Sequence, residues 1–409
     1  MIRTAEAGRK GADVRSDCWI KITANDSGGI HLNIKSKVQV MYGTSIHDSV
    51  KDGLEFFDIK HATVELEDNG ALPFVLMARL ECAIRRLKMD DNKQWLPPIP
   101  ESNQRPTVRD RFRRSRLYLP GNEPKFMLNA GLHKPDGVIL DLEDSVALAE
   151  KDSAQVLVRN ALRQVDFFQA ERMVRINQIP GGLDDLKFIV PHHVHVILIP
   201  KCESAEQVKL VDAEVHTILK SENLTQSVFY MPIIESALGA IKAYEIATAA
   251  KNIVALTIGL EDYTADIGTQ RTLEGRESFW ARSQVVNAAR AAGIQPIDTV
   301  FSDVNDMDGL RQSVLEAKSL GFDGKGCIHP RQIPVINDAF APAAEEIDRA
   351  KKIVAAFEEA EARGLSVVSL GSKMIDPPVV KRAMRTIHLA TKTGKLPENW
   401  REGDAQNGK

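Results

Sequence analysis

Four cysteines in 409 residues, Cys18, Cys82, Cys202 and Cys327, stand far apart and form no CxxC pair. That spacing excludes a zinc knuckle and a disulfide framework, and makes a reducing cytosol the simplest compartment. Charge of one sign is also scarce. Lys and Arg number 53 against 56 Asp and Glu, a formal net charge of -3, too little for a global field that would draw the chain to nucleic acid or anionic lipid. No apolar stretch approaches the roughly 18 residues that cross a membrane. Residues 4–17, TAEAGRKGADVRSD, hold no apolar core of an export signal. The expected partner is therefore a small molecule.

One seam interrupts the periodic pattern. Residues 90–113, DDNKQWLPPIPESNQRPTVRDRFR, combine four prolines with charge and read as an extended linker. Before it, 17–25 and 29–38 alternate apolar and polar residues, and the Asp-Ser-Gly-Gly stretch between them suits a hairpin. Helical spacing at 45–57, a strand at 62–68 and a strong helix at 72–87 complete a ββαβα order, which predicts a small α+β domain over 1–89. His31, His47 and His61 are expected on its solvated faces.

Past the linker, strands and helices alternate. Eight strands are expected at 115–120, 137–144, 172–177, 195–201, 228–234, 253–262, 295–300 and 322–330. Several are continuous Val/Ile/Leu runs, the mark of parallel strands covered on both faces. Eight such units point to an α/β fold, a (β/α)8 TIM barrel over 114–340, with a doubly wound open sheet as the structural alternative. A C-terminal helical appendage over 341–395 and a flexible tail over 396–409 follow.

Three of the apolar runs end in acids: GVILDLED, VFYMPIIES and IVALTIGLED. In a parallel barrel those ends gather on the C-terminal rim, where reactive groups collect. Glu235 and Asp262 close adjacent strands, and two carboxylates that near each other require a cation or a proton between them. Hard oxygen donors with no Cys or His nearby favour Mg²⁺; alternatively Glu235 caps the helix that follows it. Arg175, inside MVRIN, is costly to bury without an anion, so it suits a carboxylate or thioester oxygen, or pairs with Glu143 or Asp144. Lys201 is either a Schiff-base nucleophile or a rim ion-pair partner. His329 is either a base or a residue that orients a loop.

Together SRLYLPGNEPKFMLNA, LDLEDSVALAEKDSAQ, VRIN, LIPKCESAEQV, IIESALG, IGLEDYTADIGTQRTLEG, GFDGKGCIHPRQI and SLGSKMIDPPVVKRA resemble the citrate lyase beta subunit, a citryl thioester lyase of the HpcH/HpaI aldolase superfamily. SDCWIKI, GGIHLNIKSKV, MYGTSI and LEDNGALPFVLMARLECAIRR are similar to the citrate lyase gamma subunit, a small acyl carrier. The resemblance implies Mg²⁺ on Glu235 and Asp262, Arg175 orienting substrate at the thioester carbonyl, and Glu143 in support. It places at Asp376 an aspartate that reaches a neighbouring subunit's site. It also implies a phosphoribosyl dephospho-coenzyme A arm on Ser16, although Arg15 stands where family carriers often have glutamate. Cleavage of citryl carrier, or of free citryl-CoA, to oxaloacetate and an acetyl thioester is the activity implied, with malyl or citramalyl thioesters, or a non-catalytic scaffold, as alternatives. A separate acyl transferase, the citrate lyase alpha subunit, and a homo-oligomer built on trimers are the implied partners.

Overall fold

A computed structural model of the chain describes residues 3–88, 93–364, 368–370 and 373–401, so parts of the expected linker, appendage and tail lie outside the described residues. It divides into two compact units, Met1–Ile333 and Pro334–Lys409. Among the described residues no helix is long and apolar enough to cross a membrane.

The first unit begins with strands β1 (Thr4–Gly8), β2 (Cys18–Ala24), β3 (Ile30–Ser36) and β4 (Ala62–Asp68), in the order β1-β2-β4-β3, with helices α1 (Gln39–Phe56) and α2 (Pro73–Lys88). The α+β expectation holds, but the expected hairpin does not form. Strand β4 inserts between its arms, antiparallel to β2 and parallel to β3. Two physical reasons account for this. The link from Asn25 to Gly29, with Gly28 and Gly29 at φ of 102° and 79°, is long enough to step over one strand, about 10 Å between alternate strands. Buried Ala62, Val64 and Leu66 make β4 the strand that gains most from a central place, whereas β3 alternates exposed and half-buried residues as an edge does. His31 and His61 are exposed and His47 half-buried, as expected, and His61 Nδ1 accepts from the Gly29 amide in that link.

Segment 93–113 has no regular structure beyond a turn at Glu101–Gln104, in keeping with its prolines, yet it is not a free tether. Asn103 Nδ2 donates to the carbonyls of Leu162, Arg163 and Val165 at 3.2, 3.1 and 2.9 Å. Arg113 and Glu171 form a fully buried ion pair at 2.7 Å. Side chains thus satisfy polar groups that an extended chain cannot satisfy within itself.

Eight parallel strands then close into a barrel, bearing out the TIM-barrel expectation against the open sheet. They are β5 (Ser115–Pro120), β6 (Gly137–Asp141), β7 (Glu171–Arg175), β8 (Val196–Ile199), β9 (Phe229–Ile234), β10 (Ala255–Ile258), β11 (Gln295–Asp298) and β12 (Gly324–Cys327), with β12 pairing β5 to seal the ring. Ile139, Met173, Leu198, Met231, Ile233 and Ile297 fill its interior. Strand β10 stops four residues earlier than expected, and Asp262 lies in the first turn of the Leu260–Asp266 helix rather than at a strand end. Acids at a helix N-terminus are favoured by the helix dipole, which explains the early switch.

Outside the barrel strands, His192 and His195 are buried, and burial together with nearby arginines (Arg159 and Arg163 for the first, Arg172 for the second) pulls both down to about 3. Their folded values are depressed, so their contribution is complete above about pH 6.5 and is lost as pH falls towards 3, at up to ~1.4 kcal/mol per pH unit for each histidine. Urea unfolding followed across that interval is expected to give a shallower pH slope for His195→Gln than for the parent; an unchanged slope rules this origin out.

The second unit packs the Ala344–Ala362 and Pro377–Lys392 helices with a hairpin of β13 (Val368–Leu370) and β14 (Lys373–Ile375). Ile347, Val354, Ile375 and Ile387 form its core, and Leu396 and Trp400 pack on it. The helical appendage thus continues past 395.

Candidate functional site

Strands β6 and β7 pair in register, so their last residues, Asp141 and Arg175, lie side by side. Arg175 Nε and Nη2 donate to the two Asp141 oxygens at 2.6 and 2.7 Å. Its Nη1 lies 2.9 Å from Glu143 Oε2 and 3.5 Å from Asp144 Oδ2, and the guanidinium carbon sits 5.5 Å from the Tyr118 ring centroid. Burial works against the charge, but Asp141 outweighs it and holds the Arg175 guanidinium above its ordinary range. The expected acidic partners are present, but the bidentate one, Asp141, escaped the sequence reading. Its signal was its place: an acid and an arginine each close consecutive strands.

Glu235 directly follows β9 and is 6% exposed. Its Oε2 accepts from the Lys201 amide at 2.8 Å. Burial pushes its carboxyl up to about 7, with Asp262 and Glu143 adding to the rise against that amide and Arg175. The cap of the next helix is Ser236, whose hydroxyl accepts from Gly239 N at 3.1 Å, so the capping alternative for Glu235 falls. Lys201 Nζ reaches Glu143 at 2.8 Å, Asp144 at 3.1 Å and Asp262 at 3.7 Å. Burial pulls the ammonium down, yet Glu143 and Asp144 prevail and hold it above the usual range. A Schiff-base nucleophile needs a neutral amine, so this lysine fits the ion-pair role.

The mouth above these groups is a cleft of about 490 Å³, lined among others by Pro120, Asp141, Arg175, Glu235 and Asp262. A buried carboxyl raised to about 7 beside a second acid is a donor set that a hard divalent cation would neutralise. Among the described residues no group of three or more His, Cys, Asp or Glu gathers as a ready metal cage, so an ion here would take its other ligands from water and substrate. Glycine makes this possible at position 259: a Cβ there would come within 2.4 Å of Glu235 Oε1. Gly259→Ala is expected to displace that carboxylate and to weaken any divalent-cation binding in the cleft at least tenfold with the barrel intact, as calorimetric titration and circular dichroism will check.

Arg116 on β5 also went unnoticed, although the reasoning applied to Arg175 covers it. It is fully buried at the cleft floor. Its Nη1 meets Met231 Sδ at 3.0 Å and Thr257 Oγ1 at 3.3 Å, while Nε and Nη2 have no hydrogen-bond partner among the described residues. His329 takes the loop-orienting role, its Nδ1 accepting from Arg331 N at 3.1 Å. Asp376 caps the Pro377–Lys392 helix by accepting from Val379 N at 3.1 Å. Ser16 stands half-buried before β2, at φ 56°.

The closed barrel with its acid- and arginine-lined cleft, behind a small α+β domain, falls by its relatives among carbon–carbon lyases, with a carrier-like domain in front. Residues 114–330 match the HpcH/HpaI aldolase/citrate lyase family, and residues 5–87 match the malonate decarboxylase delta subunit family. The citrate lyase subunit beta of Leuconostoc mesenteroides is 41% identical over 69% of this chain and 94% of its own length. The human mitochondrial citramalyl-CoA lyase is 32% identical over 68% of this chain and 86% of its own. The crystal structure of CitE from Mycobacterium tuberculosis with magnesium, acetoacetate and coenzyme A aligns with a TM-score of 0.59 at 30% identity, over 69% of this chain and 99% of that one. The chain belongs to the HpcH/HpaI aldolase/citrate lyase family.

Proposed function

We propose that this chain is a Mg²⁺-dependent citryl thioester lyase that releases oxaloacetate and retains an acetyl thioester on an arm attached to its own carrier domain. The observation that carries the reading is Arg175, fixed by Asp141 beside the paired acids Glu235 and Asp262 at one cleft. Its support from relatives is the citrate lyase subunit beta likeness, the magnesium and coenzyme A held by CitE and the carrier-family match.

Glu235 and Asp262 would hold Mg²⁺, which when bound supplies Lewis-acid polarisation of the substrate's hydroxyl and carboxylate oxygens. Arg175 binds the thioester carbonyl oxygen and stabilises the negative charge that grows there. Glu143 and Lys201 keep Arg175 and Glu235 in place. Arg116 offers its unpaired N–H groups to a substrate carboxylate. Asp376 of a neighbouring copy takes the proton of the tertiary hydroxyl. The bond between that carbon and the thioester α-carbon then breaks, its electron pair passing into the enolate of the acetyl thioester, and protonation at carbon completes the product. A separate transferase would reload the arm, which we assign to Ser16.

A second reading, cleavage of citramalyl thioester to pyruvate, is favoured by the 32% identity to human citramalyl-CoA lyase. Offering citryl, citramalyl and malyl thioesters of coenzyme A side by side separates the two. Preferential release of oxaloacetate supports the first reading, preferential release of pyruvate or glyoxylate replaces it, and turnover of none of them makes the chain a scaffold.

A further inference from the structure

The carrier domain is held to the barrel by buried charge. Arg79 on α2 is 1% exposed. It donates to both oxygens of Asp17, at 2.9 and 2.8 Å, to Ser153 Oγ at 2.5 Å and to the Asn122 carbonyl at 3.1 Å. Glu81, two residues further on, is fully buried in a bidentate pair with Arg159, both bonds at 2.7 Å. Arg86 closes the seam on Asp152, at 2.7 and 2.6 Å, and on the Ala149 carbonyl at 3.0 Å. Ser153, Arg159 and Asp152 belong to the barrel helix Lys151–Gln164, and Asn122 to the loop after β5. Separating the two domains would break all of the bonds between them together, leaving Glu81, among the described residues, only its own-helix ion-pair partner Arg85 at 2.9 Å.

The seam also fixes where Ser16 stands. The loop that carries Ser16 is pinned at both ends to one short stretch of the barrel: Arg9 pairs with Glu123, and Asp17 is joined through Arg79 to Asn122. That stretch begins two residues after Pro120, which lines the cleft. The other polar contacts of the carrier begin at residues 149–153, shortly after Asp144 and Ser145, which line the cleft too, and continue along the same helix to Arg159 and Asn160. Carrier and cleft therefore share the C-terminal mouth of the barrel.

We propose that the carrier domain is a fixed part of this mouth and that Ser16 feeds the cleft of its own chain, so that the arm moves while the domain does not. This rests on the assignment of the arm to Ser16. A consequence is that the transferase that reloads the arm must come to the lyase, since the carrier does not leave it.

Complementation between two inactive chains tests this. Ser16→Ala has no attachment point and Glu235→Gln has a disabled cleft; the two are co-produced in the native host and purified as mixed oligomers through separate tags, beside the parent protein. Intact mass spectrometry first establishes that the parent and Glu235→Gln chains carry an added mass on the Ser16 peptide. With that mass present, turnover of the tethered citryl group by mixed oligomers below one-twentieth of the parent rate is the expected result; recovery to a quarter or more means that the arm serves a neighbour and overturns the proposal. A parent chain with no added mass overturns the arm assignment itself, a failure distinct from the first. A second measurement addresses the fixed seam. All four native cysteines are buried, so Arg9→Cys and Glu123→Cys can be joined selectively by a short bismaleimide. A locked holoprotein that turns over within twofold of the unlocked one supports a stationary carrier, and a tenfold loss on locking overturns it.

Discussion

Replacing Arg175 by lysine is expected to lower kcat by about 100- to 1,000-fold, the range seen when one donor to a developing oxyanion is removed, with a much smaller effect on substrate binding. Lysine keeps the charge but cannot reproduce the fork. Arg175 spends Nε and Nη2 on Asp141 at 2.6 and 2.7 Å and turns Nη1 towards the acids of the following loop, and that fixed plane is what an ammonium loses. Alanine at the same position has a second consequence. Asp141, 2% exposed, would lose the counter-charge it is paired with, and breaking a buried pair costs about 3–5 kcal/mol, so the alanine protein is expected to unfold at clearly lower urea. Asp141→Asn separates positioning from charge: it leaves the guanidinium present but loosely held, and is expected to reduce kcat less than the lysine variant does. Equal rates for Arg175→Lys and parent would remove Arg175 from the chemistry.

Glu235→Gln should be nearly as damaging and for a different reason. Glutamine can still accept from the Lys201 amide, now 2.8 Å from Oε2, so local structure is kept. Stability is expected to hold or rise at neutral pH, because a buried carboxyl already pushed up to about 7 no longer has to ionise out of water. Magnesium is another matter. Groups that only orient a ligand change metal affinity by about 10- to 100-fold, so loss of the carboxylate we propose as a ligand is expected to exceed that, and turnover at fixed Mg²⁺ should fall by at least the same factor. Calorimetric Mg²⁺ titration beside unfolding curves distinguishes this from misfolding. Parent-like affinity would move the ion elsewhere.

The barrel was legible in the sequence because its parallel strands are covered on both faces and read as unbroken apolar runs. The acids after those runs marked the rim correctly for Glu235. Asp262 was displaced into a helix because IGLED continues the apolar run of β10 and the dipole term that starts a helix there has no periodic trace. In the N-terminal sheet the alternation of β2 and β3 was read correctly, but pairing is decided by a third strand that arrives after a helix, and spacing carries no record of it. Asp141 was missed because the apolar run GVILDLED carries on to Asp144 and hides that β6 ends at Asp141, and Arg116 because it sits inside β5; only three-dimensional register brings Asp141 to Arg175. The fixed seam was the least readable of all. Proline and charge in 90–113 suggested slack, while the groups that remove the slack, Arg79, Glu81 and Arg159, look like ordinary helix-surface charges until their partners are seen.

Whether the acidic rim is a metal-dependent lyase site is open to one direct measurement. Oxaloacetate released from citryl-CoA by the intact chain, measured first after chelation and then after graded return of Mg²⁺, tests that in one experiment. The prediction is negligible release after chelation and recovery that saturates with Mg²⁺ in the parent but not in Glu235→Gln. Undiminished release after chelation, or recovery of equal size in both proteins, would contradict it.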